Sequence, residues 1–481
     1  MPDDRGRKQF LAGVAVVGLT TATMSLGCLS GDRAAEPAAP PPHVRWLKQT
    51  AKPLATVDPT VKDDDLAVLD PMVGGASIVG LGEATHGSSE FFRMKHRLLR
   101  YLVERKGFTA FGMEADLAQC RALDAYVLTG MGDPRGLVED LGMWVWATEE
   151  MVDLVTWMRA YNADPAHTKK VRFFGFDMQD GAAAMSCLWS YLASVDTGGE
   201  AYVRFLYAPY APFTGLRNPA RQLYSLASQE LQARCSGNLH EARLWLVTHR
   251  DGYVAARGAS AYEWALRMAD LLIQQEAFLR LGEHPQSLVA VNLRDRAMAH
   301  NVNWAVGHLE PGVKAVLWAH NGHINKLGTA SPLWVNTGEW LAQDHGAGYL
   351  SVGFSFGAGG FNTVPVDLNG QPGSPRAIHV PPPEDGAYET AFLEAGMPLA
   401  LLDLRRLDCT DPGALWFNQP RAFREIGDSY NQATEAGGGM TMLLDRFDVL
   451  IFVRNVTPSR LLGQGGRPGD GISASPPPGG G

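Results

Sequence analysis

The sequence is poor in cysteine and lacks the patterns of the commonest disulfide and metal proteins. Five cysteines occur in 481 residues, and none of them forms a CxxC pair with another. A disulfide-dense scaffold and a zinc–thiolate site are therefore excluded, and we expect most of the thiols to be free and buried. The sequence also lacks HExxH, the pattern typical of zinc metalloproteases.

Long blocks of charge of one sign and internal repeats are absent as well. Lys and Arg number 42 against 51 Asp and Glu, which gives a net charge of -9 spread along the chain. Nucleic-acid binding needs a concentrated positive surface, so we expect no nucleic-acid partner. A hydrophobic content of 46% with 12 Trp residues is instead sufficient for a large globular core.

The two ends of the chain differ in composition from the rest. Basic residues precede a moderately apolar stretch that ends at Cys28. We predict that residues 1–28 form an export signal of the lipoprotein type, with Cys28 as the lipid attachment and the chain held at the cell envelope; a membrane-spanning helix is the alternative. A Pro/Ala-rich linker is expected over 29–43, the folded domain over 44–462, and a disordered Gly/Pro-rich tail over 463–481.

Short aliphatic and aromatic runs alternate with helical patterns in the folded part. This alternation predicts an α/β fold with a mostly parallel sheet flanked by helices. Between the first two strands, apolar residues recur every three to four positions, which is typical of a helix packed on a sheet. A continuous helical pattern from about 182 to 309 predicts a large α-helical insertion. The predicted strands cover 76–83, 108–115, 171–177, 314–320, 349–355, 399–404 and 448–453.

Ionisable residues stand at the ends of the first four predicted strands. They are Glu83, Glu114, Asp177 and His320. Because the carboxyl ends of parallel strands meet along one edge of a sheet, we expect these side chains to face one site. An acidic residue at a strand end can instead cap the following helix, and that alternative stays open for each of them singly.

Two further histidines, His86 and His323, each follow three residues after a strand-end residue. A neighbouring carboxylate fixes the tautomer of a histidine and raises its basicity, so a Glu83–His86 pair could activate a water molecule. The helix predicted to begin near Ser88 would direct free N–H groups at the same region, where they could stabilise an oxyanion. The pattern therefore favours ester hydrolysis by water.

Two other chemistries involve the same part of the sequence. The histidines and carboxylates could instead bind a divalent metal ion whose water is the nucleophile. Ser355 lies in a G-x-S-x-G sequence at 353–357. A serine nucleophile of that kind requires a strand, a sharp turn and a helix, and the residues after Ser355 do not have a helical pattern. We therefore disfavour a serine nucleophile.

The order of these motifs resembles the erythromycin esterase family, which also contains proteins labelled for succinoglycan biosynthesis. The resemblance covers about 75–357 and continues more weakly to about 457. It implies an α/β core with a helical insertion and a further small α/β element. It also implies hydrolysis of an ester or a lactone by histidine-activated water, without a required metal. The segments that carry it are GLGEATHGSSEFFRMKHRLLRYL, FGMEAD, MWVWATEEMVDLVTWMRAYN, VRFFGFDMQ, RDRAMAHNVNW and VLWAHNGHI.

The resemblance assigns roles to individual residues. The catalytic set that it implies is His86, Glu83, Glu114, His320 and His323. Within this set His86 would be the general base, and the last two histidines would orient the water or polarise the carbonyl. Lys95 aligns with a family arginine, and it keeps the positive charge while losing bidentate hydrogen bonding; the alternative is a lysine on a solvated helix face.

Substrate-binding residues are expected around this set, namely Lys95, Asp177, Arg294, Trp144 and Trp146. The two tryptophans would form an apolar wall for a large substrate, or else belong to the core. Arg294 and Asn301 lie seven residues apart on one helix face, so both could line the site; the alternatives are an exposed charge and a helix-packing amide.

The expected partner is a small-molecule ester or lactone, and no cofactor is expected. A binding or polysaccharide-assembly protein of the cell envelope, without catalysis, is the alternative from another functional class.

Overall fold

The structure is a computed structural model that describes residues 39–215, 219–282, 288–327, 334–367, 371–408, 410–432 and 438–463. Cys28 and the predicted signal segment lie outside these residues, as does the predicted tail beyond residue 463. None of the helices formed by the described residues combines the length and the apolar character that crossing a bilayer requires.

A ten-stranded sheet organises the part of the chain that begins at Pro41. Its main path has the order β1-β8-β12-β6-β2-β5-β3-β4, and β7 and β10 pair with the far end of β6. A separate two-stranded sheet joins β9 and β11. The strands are β1 Lys52–Pro53, β2 Ile78–Leu81, β3 Ala110–Asp116, β4 Arg172–Asp177, β5 Ala315–Trp318, β6 Tyr349–Pro365, β7 Arg376–Val380, β8 Leu399–Asp403, β9 Arg421–Phe423, β10 Ser429–Tyr430, β11 Gly439–Thr441 and β12 Val449–Val456.

The central strands are parallel, and both faces of the sheet are covered. Neighbours from β12 to β4 all run parallel, whereas β8 and β1 join the edge as antiparallel strands. Successive side chains of a strand point to opposite faces. Val316 and Trp318 therefore enter the core on one face, and Leu317 enters the core on the other. The predicted α/β fold with a mostly parallel sheet is confirmed.

Helices pack on both faces and form the insertion. They are α1 Pro42–Thr50, α2 Asp70–Val73, α3 Ser89–Lys106, α4 Cys120–Thr129, α5 Pro134–Glu139, α6 Glu149–Ala163, α7 Gly181–Val195, α8 Thr197–Tyr207, α9 Gln229–Thr248, α10 Arg250–Arg257, α11 Ala259–Leu281, α12 Leu288–Leu309, α13 Asn321–Ile324, α14 Thr337–His345, α15 Tyr388–Glu394, α16 Pro412–Phe417 and α17 Leu443–Arg446. The insertion spans α7 to α12 and has a hydrophobic core of its own. Its bounds agree with the predicted segment of about 182–309.

Helix α3 shows why the helices begin and end where they do. The Ser88 side chain accepts a hydrogen bond from Phe91 N, which caps the first turn. Gly107 adopts a φ of 70° after the last turn, a left-handed conformation that favours glycine. The apolar face of α3 packs on the sheet through Phe91, Met94 and Leu98.

Some features of the fold differ from the sequence prediction. Strand β6 continues ten residues beyond the predicted end at 355, through a glycine-rich stretch that looks like a loop in sequence. A Cβ atom on Gly359 would lie 2.1 Å from the Val456 carbonyl oxygen, so glycine is needed for β6 and β12 to pair there. Helix α1 begins at Pro42, two residues inside the predicted linker, and His43 stacks on Trp416 with ring centroids 4.4 Å apart.

Candidate active site

The strand order brings the four strand-end residues into one row. Strands β2, β5, β3 and β4 lie side by side in that order and run parallel. Their carboxyl ends therefore carry Glu83, His320, Glu114 and Asp177 along one edge of the sheet. The expectation that these residues face one site agrees with this arrangement, and the contacts below connect them.

Glu83 is the centre of the first group of contacts. Its side chain is fully buried, and its two oxygens accept three hydrogen bonds: from His86 Nδ1 at 2.7 Å, from Lys95 Nζ at 2.7 Å and from Trp318 Nε1 at 2.9 Å. Burial opposes the ionised carboxylate, but Lys95 and His86 outweigh burial and lower the pKa of Glu83. The carboxylate is therefore a fixed negative charge beneath His86.

Lys95 belongs to this group because its ammonium is completely buried. Besides the bond to Glu83, its Nζ lies 4.4 Å from the centroid of the Trp318 ring, a cation–π contact. Burial lowers the pKa of Lys95 to about 8, against the opposing charge of Glu83. Lys95 thus holds the Glu83 carboxylate in place with a charge-assisted hydrogen bond.

His86 is oriented by Glu83 and enclosed by aromatic rings. Because Nδ1 faces the carboxylate, Nε2 is the nitrogen that can take up a proton. Burial lowers the pKa of His86, but the hydrogen bond and charge of Glu83, with Glu114 and Asp428 further away, raise it above its usual value. The His86 ring lies 5.5 Å from the Trp146 ring and 5.2 Å from the His320 ring.

The turn around His86 is held tightly by the C-terminal part of the chain. A Cβ atom on Gly87 would lie 1.9 Å from the carbonyl oxygen of Asn362 in β6, so only glycine fits there. The sequence analysis expected free N–H groups at the start of the following helix to stabilise an oxyanion. Two of these groups are not free, because Ser89 N donates to Thr457 O and Phe91 N donates to Ser88 Oγ. The start of α3 is thus largely occupied by contacts within the protein.

Arg294 on α12 connects two of the strand ends. Its Nη2 donates to Asp177 Oδ2 at 2.7 Å and to Glu114 Oε1 at 2.8 Å, and its Nε lies 3.2 Å from Asp177 Oδ2. Burial lowers the pKa of Arg294, but the two carboxylates outweigh burial and raise it. The pKa of Glu114 falls well below its usual range because His323 and Arg294 outweigh the effect of burial. Arg294 and Glu114 are therefore both ionised at neutral pH.

His323 lies between two carboxylates and carries a charge of its own. Its Nδ1 lies 2.7 Å from Asp295 Oδ1, and its Nε2 lies 3.3 Å from Glu114 Oε1. Burial lowers the pKa of His323, but the charges of Asp295 and Glu114 raise it to about 10. The imidazolium of His323 and the guanidinium of Arg294 are 3.2 Å apart. They tolerate this proximity because three carboxylates surround them.

Asp295 is a site residue that the sequence analysis missed. Its side chain is fully buried; Oδ1 accepts hydrogen bonds from His323 and from N and Oγ1 of Thr337, and Oδ2 accepts one from Trp334 Nε1 at 2.9 Å. The only signal in the sequence is its position directly after Arg294. Its pairing with His323, 28 residues away, depends on how α12 packs beside α13.

His320 lies in the same row but has both ring nitrogens engaged by the backbone. Nδ1 accepts a hydrogen bond from Gly322 N at 3.1 Å, so Nε2 carries the proton that it donates to Ile426 O at 3.2 Å. Burial and the charge of His86 lower the pKa of His320 to about 4. Its own N–H donates to Glu114 Oε2 at 2.9 Å. In this structure His320 is therefore a neutral residue that positions the loop after β5.

The two predicted tryptophans differ in their surroundings. Trp146 is fully buried, donates from Nε1 to the Glu114 carbonyl oxygen at 2.9 Å and packs against the His86 ring. It is therefore a core residue and also a wall of the site. Trp144 is half-buried and packs against the same core cluster.

Two other sequence candidates lie away from the site. Asn301 donates to the Phe176 carbonyl oxygen at 2.8 Å and accepts a hydrogen bond from Arg267, so it fastens α12 to β4 as a helix-packing amide. Of the two interpretations open for Asn301 in the sequence, these contacts fit the helix-packing amide. Ser355 is buried in the middle of β6 and donates to Glu389 Oε1 at 2.7 Å. A strand that continues past the serine has no nucleophile elbow.

The donor atoms of the site do not suit a metal ion. Among the described residues, no group of three or more His, Cys, Asp or Glu side chains is arranged to hold one. Two cations, Arg294 and His323, occupy the space between the carboxylates, and both nitrogens of His320 are bonded to the backbone. A divalent ion would have to displace these groups.

Comparisons with known proteins agree with this fold. A family model described as erythromycin esterase matches residues 103–456, a segment that begins after Glu83, His86 and Lys95. "Erythromycin esterase type II" of Escherichia coli is 22% identical over 382 residues, which cover 75% of this chain and 88% of the relative.

Solved structures extend the comparison. The crystal structure of a succinoglycan biosynthesis protein is 28% identical, with a TM-score of 0.74 over 87% of this chain and 97% of that one. A mutant of the erythromycin esterase EreC in its open conformation shares the fold at 19% identity, with a TM-score of 0.66 over 84% of this chain and 97% of that one. The chain therefore belongs to the erythromycin esterase family, and this membership supports a hydrolase of the esterase type.

Proposed function

We propose that the protein hydrolyses a carboxylic ester or a lactone of a small molecule, with His86 as the general base. The observation that carries this proposal is the contact between Glu83 and His86 Nδ1 at 2.7 Å, with Glu83 itself held by Lys95 and Trp318. This arrangement directs the basic Nε2 of His86 away from the carboxylate. A histidine held in this way is suited to remove a proton from water.

The reaction begins with a water molecule next to His86 Nε2. As the water oxygen attacks the carbonyl carbon, its proton passes to Nε2 and the carbonyl oxygen becomes an oxyanion. The imidazolium that forms is stabilised by the buried Glu83 carboxylate. When the tetrahedral intermediate collapses, the bond to the alkoxide breaks, the proton on Nε2 passes to the alkoxide, and the products are a carboxylic acid and an alcohol.

The imidazolium of His323 and the guanidinium of Arg294 are the groups that would stabilise the oxyanion. Both cations are buried beside Glu114, at the same edge of the sheet as His86. Fixed charges in a site of low dielectric stabilise a developing negative charge more than they would in water. The role is assigned to this pair because the first N–H groups of α3 are engaged elsewhere.

The proposal is tested by comparing wild type with His86→Ala on p-nitrophenyl esters and on a panel of lactones that includes macrolides. General-base catalysis contributes about 100-fold to 10,000-fold, so a loss of that size in kcat is expected. His300→Ala is the matched control, since His300 is an exposed histidine of α12 and should leave kcat unchanged. Full turnover by His86→Ala would overturn the assignment, and inactivity of wild type on the whole panel would favour a protein that binds without catalysis.

We also propose that hydrolysis requires no metal ion. The arrangement of Arg294, His323 and His320 between the carboxylates supports this, as described above. Activity should survive dialysis against EDTA, and added Zn²⁺ or Mn²⁺ should not increase it. A loss of activity with chelator that is restored by one metal would refute the proposal.

The substrate is proposed only as a class, a small-molecule ester or lactone. The names of two relatives concern erythromycin, and one is 22% identical to this chain. Macrolides therefore belong in the panel without being presumed. We propose in addition that the protein is exported and lipid-anchored through Cys28, on the sequence pattern alone; Cys28→Ser should move the protein from the membrane fraction to the soluble fraction.

A further inference from the structure

A cleft opens between α4 and helices of the insertion, apart from the candidate active site. Its volume is about 660 Å³, within the usual range for small-molecule pockets. It lies between α4, α7 and α11, with Arg257 at the end of α10. Helices α4 and α7 follow β3 and β4, the strands that carry Glu114 and Asp177, but neither residue lines the cleft.

Two arginines line this cleft, and each is held by uncharged groups. The Arg121 guanidinium lies 4.8 Å from the centroid of the Trp264 ring and contacts the Cys187 thiol. Arg257 Nε donates to Ser194 Oγ at 3.2 Å. The described residues give neither arginine a carboxylate partner within salt-bridge distance, and none of those that line the cleft is acidic. Two positive charges without a salt-bridge partner among the described residues therefore line this cleft, in a chain with an excess of acidic residues.

The remaining lining supplies hydroxyl groups and an apolar floor. Ser186, Ser190 and Ser194 of α7 line the cleft together with the arginines. Ala261, Ala265 and Met268 of α11 form the apolar floor.

We propose that this cleft is a binding site for a small organic anion, a carboxylate or a phosphate ester with an apolar body. Guanidinium groups bind both kinds of anion with paired, charge-assisted hydrogen bonds. The anionic group would lie between Arg121 and Arg257, and the apolar body would pack on the α11 floor. None of the residues that line the cleft belongs to the catalytic set, so this site is independent of the proposed hydrolysis.

Cys187 provides a local readout, because its half-buried thiol lines the cleft. The rate of its alkylation by iodoacetamide is measured on the full chain by peptide mass spectrometry, at low ionic strength because salt screens exposed charges. Benzoate and phenyl phosphate are the anionic probes, and phenol is the neutral probe. We expect one or both anions to slow the alkylation of Cys187 at least fivefold at saturation and phenol to have little effect. The two anionic arms distinguish a carboxylate site from a phosphate site.

The variant Arg121→Gln/Arg257→Gln should lose the protection by anions. Rates with and without probe are compared within each variant, because Arg121 itself influences the thiol. Both arginines are exposed, so the fold should survive, and thermal unfolding checks this. Arg296→Gln is the matched control, since Arg296 is another exposed arginine stacked on a tryptophan, Trp340 at 5.4 Å.

Three results would overturn the proposal. The first is that neither anion slows the alkylation of Cys187 at 10 mM, about the weakest binding of interest. The second is that phenol slows it as much as the anions do. The third is that the anions protect Cys187 in the double variant as well as in wild type. Ester hydrolysis should be the same in the double variant and wild type, so failure of this proposal can be told from failure of the proposed function.

Discussion

The charge of His323 provides a test of the site that does not depend on knowing the substrate. Asp295→Asn removes a carboxylate that lies 2.7 Å from His323 Nδ1 while keeping an oxygen to accept hydrogen bonds from His323 and Thr337. The pKa of His323 is about 10 in the folded protein, against 6.5 for an ordinary histidine, a difference of 3.5 pH units. At about 1.36 kcal/mol per pH unit, the fold favours the charged form by roughly 5 kcal/mol.

That free energy is shared between Asp295 and Glu114, so we assign on the order of 2–3 kcal/mol to Asp295, at or below the lower end of the roughly 3–5 kcal/mol for breaking a buried pair. The pKa of His323 should therefore fall by about two pH units in Asp295→Asn. Because the folded pKa is raised, the pair stabilises the fold fully below pH 6.5 and loses its effect as the pH rises towards 10. The difference in unfolding free energy between wild type and variant should decrease over the same range.

The pKa is measured by NMR titration of protein labelled with ¹³C-histidine, with His323→Gln to assign the resonance. Trp334→Phe is the control, because it removes the indole hydrogen bond to Asp295 Oδ2 and keeps the carboxylate. In this control the pKa of His323 should stay near 10. A pKa in Asp295→Asn that remains within about half a pH unit of wild type would show that Asp295 does not hold the charge.

Three further predictions concern the other parts of the site. Glu83→Gln should lower kcat at least about 100-fold. Because Glu83 raises the pKa of His86, the acid limb of the pH–rate profile of any residual activity should move to lower pH than in wild type. An unchanged pH–rate profile would contradict the pairing. Asn301→Ala should destabilise the fold by about 1–3 kcal/mol in urea unfolding without changing KM, since Asn301 bonds to Phe176 and Arg267; a raised KM would place it at the site after all. Ser355→Ala should keep wild-type kcat in the ester assay, and loss of activity with an intact fold would restore a serine mechanism.

The sequence alone predicts the central part of the fold because short apolar runs, which form strands buried on both faces, alternate along the chain with helical patterns. The seven predicted strands correspond to β2, β3, β4, β5, β6, β8 and β12, and the predicted insertion corresponds to α7–α12. The prediction misses β1 and β7, because these short strands are largely exposed and so lack an apolar run. It also ends β6 too early, because glycines within a strand look like a loop in sequence.

For the site, the sequence by itself determines which residues stand at the strand ends, since each strand ends where its apolar run ends. Glu83, Glu114 and Asp177 are found in this way. Only the tertiary structure decides which side chains share a proton or a charge. The pairing of His323 with Asp295, the backbone bonds of His320 and the occupied start of α3 all join segments far apart in the chain. Such contacts depend on helix packing and strand register within a few tenths of an ångström, and a local sequence pattern does not encode these distances.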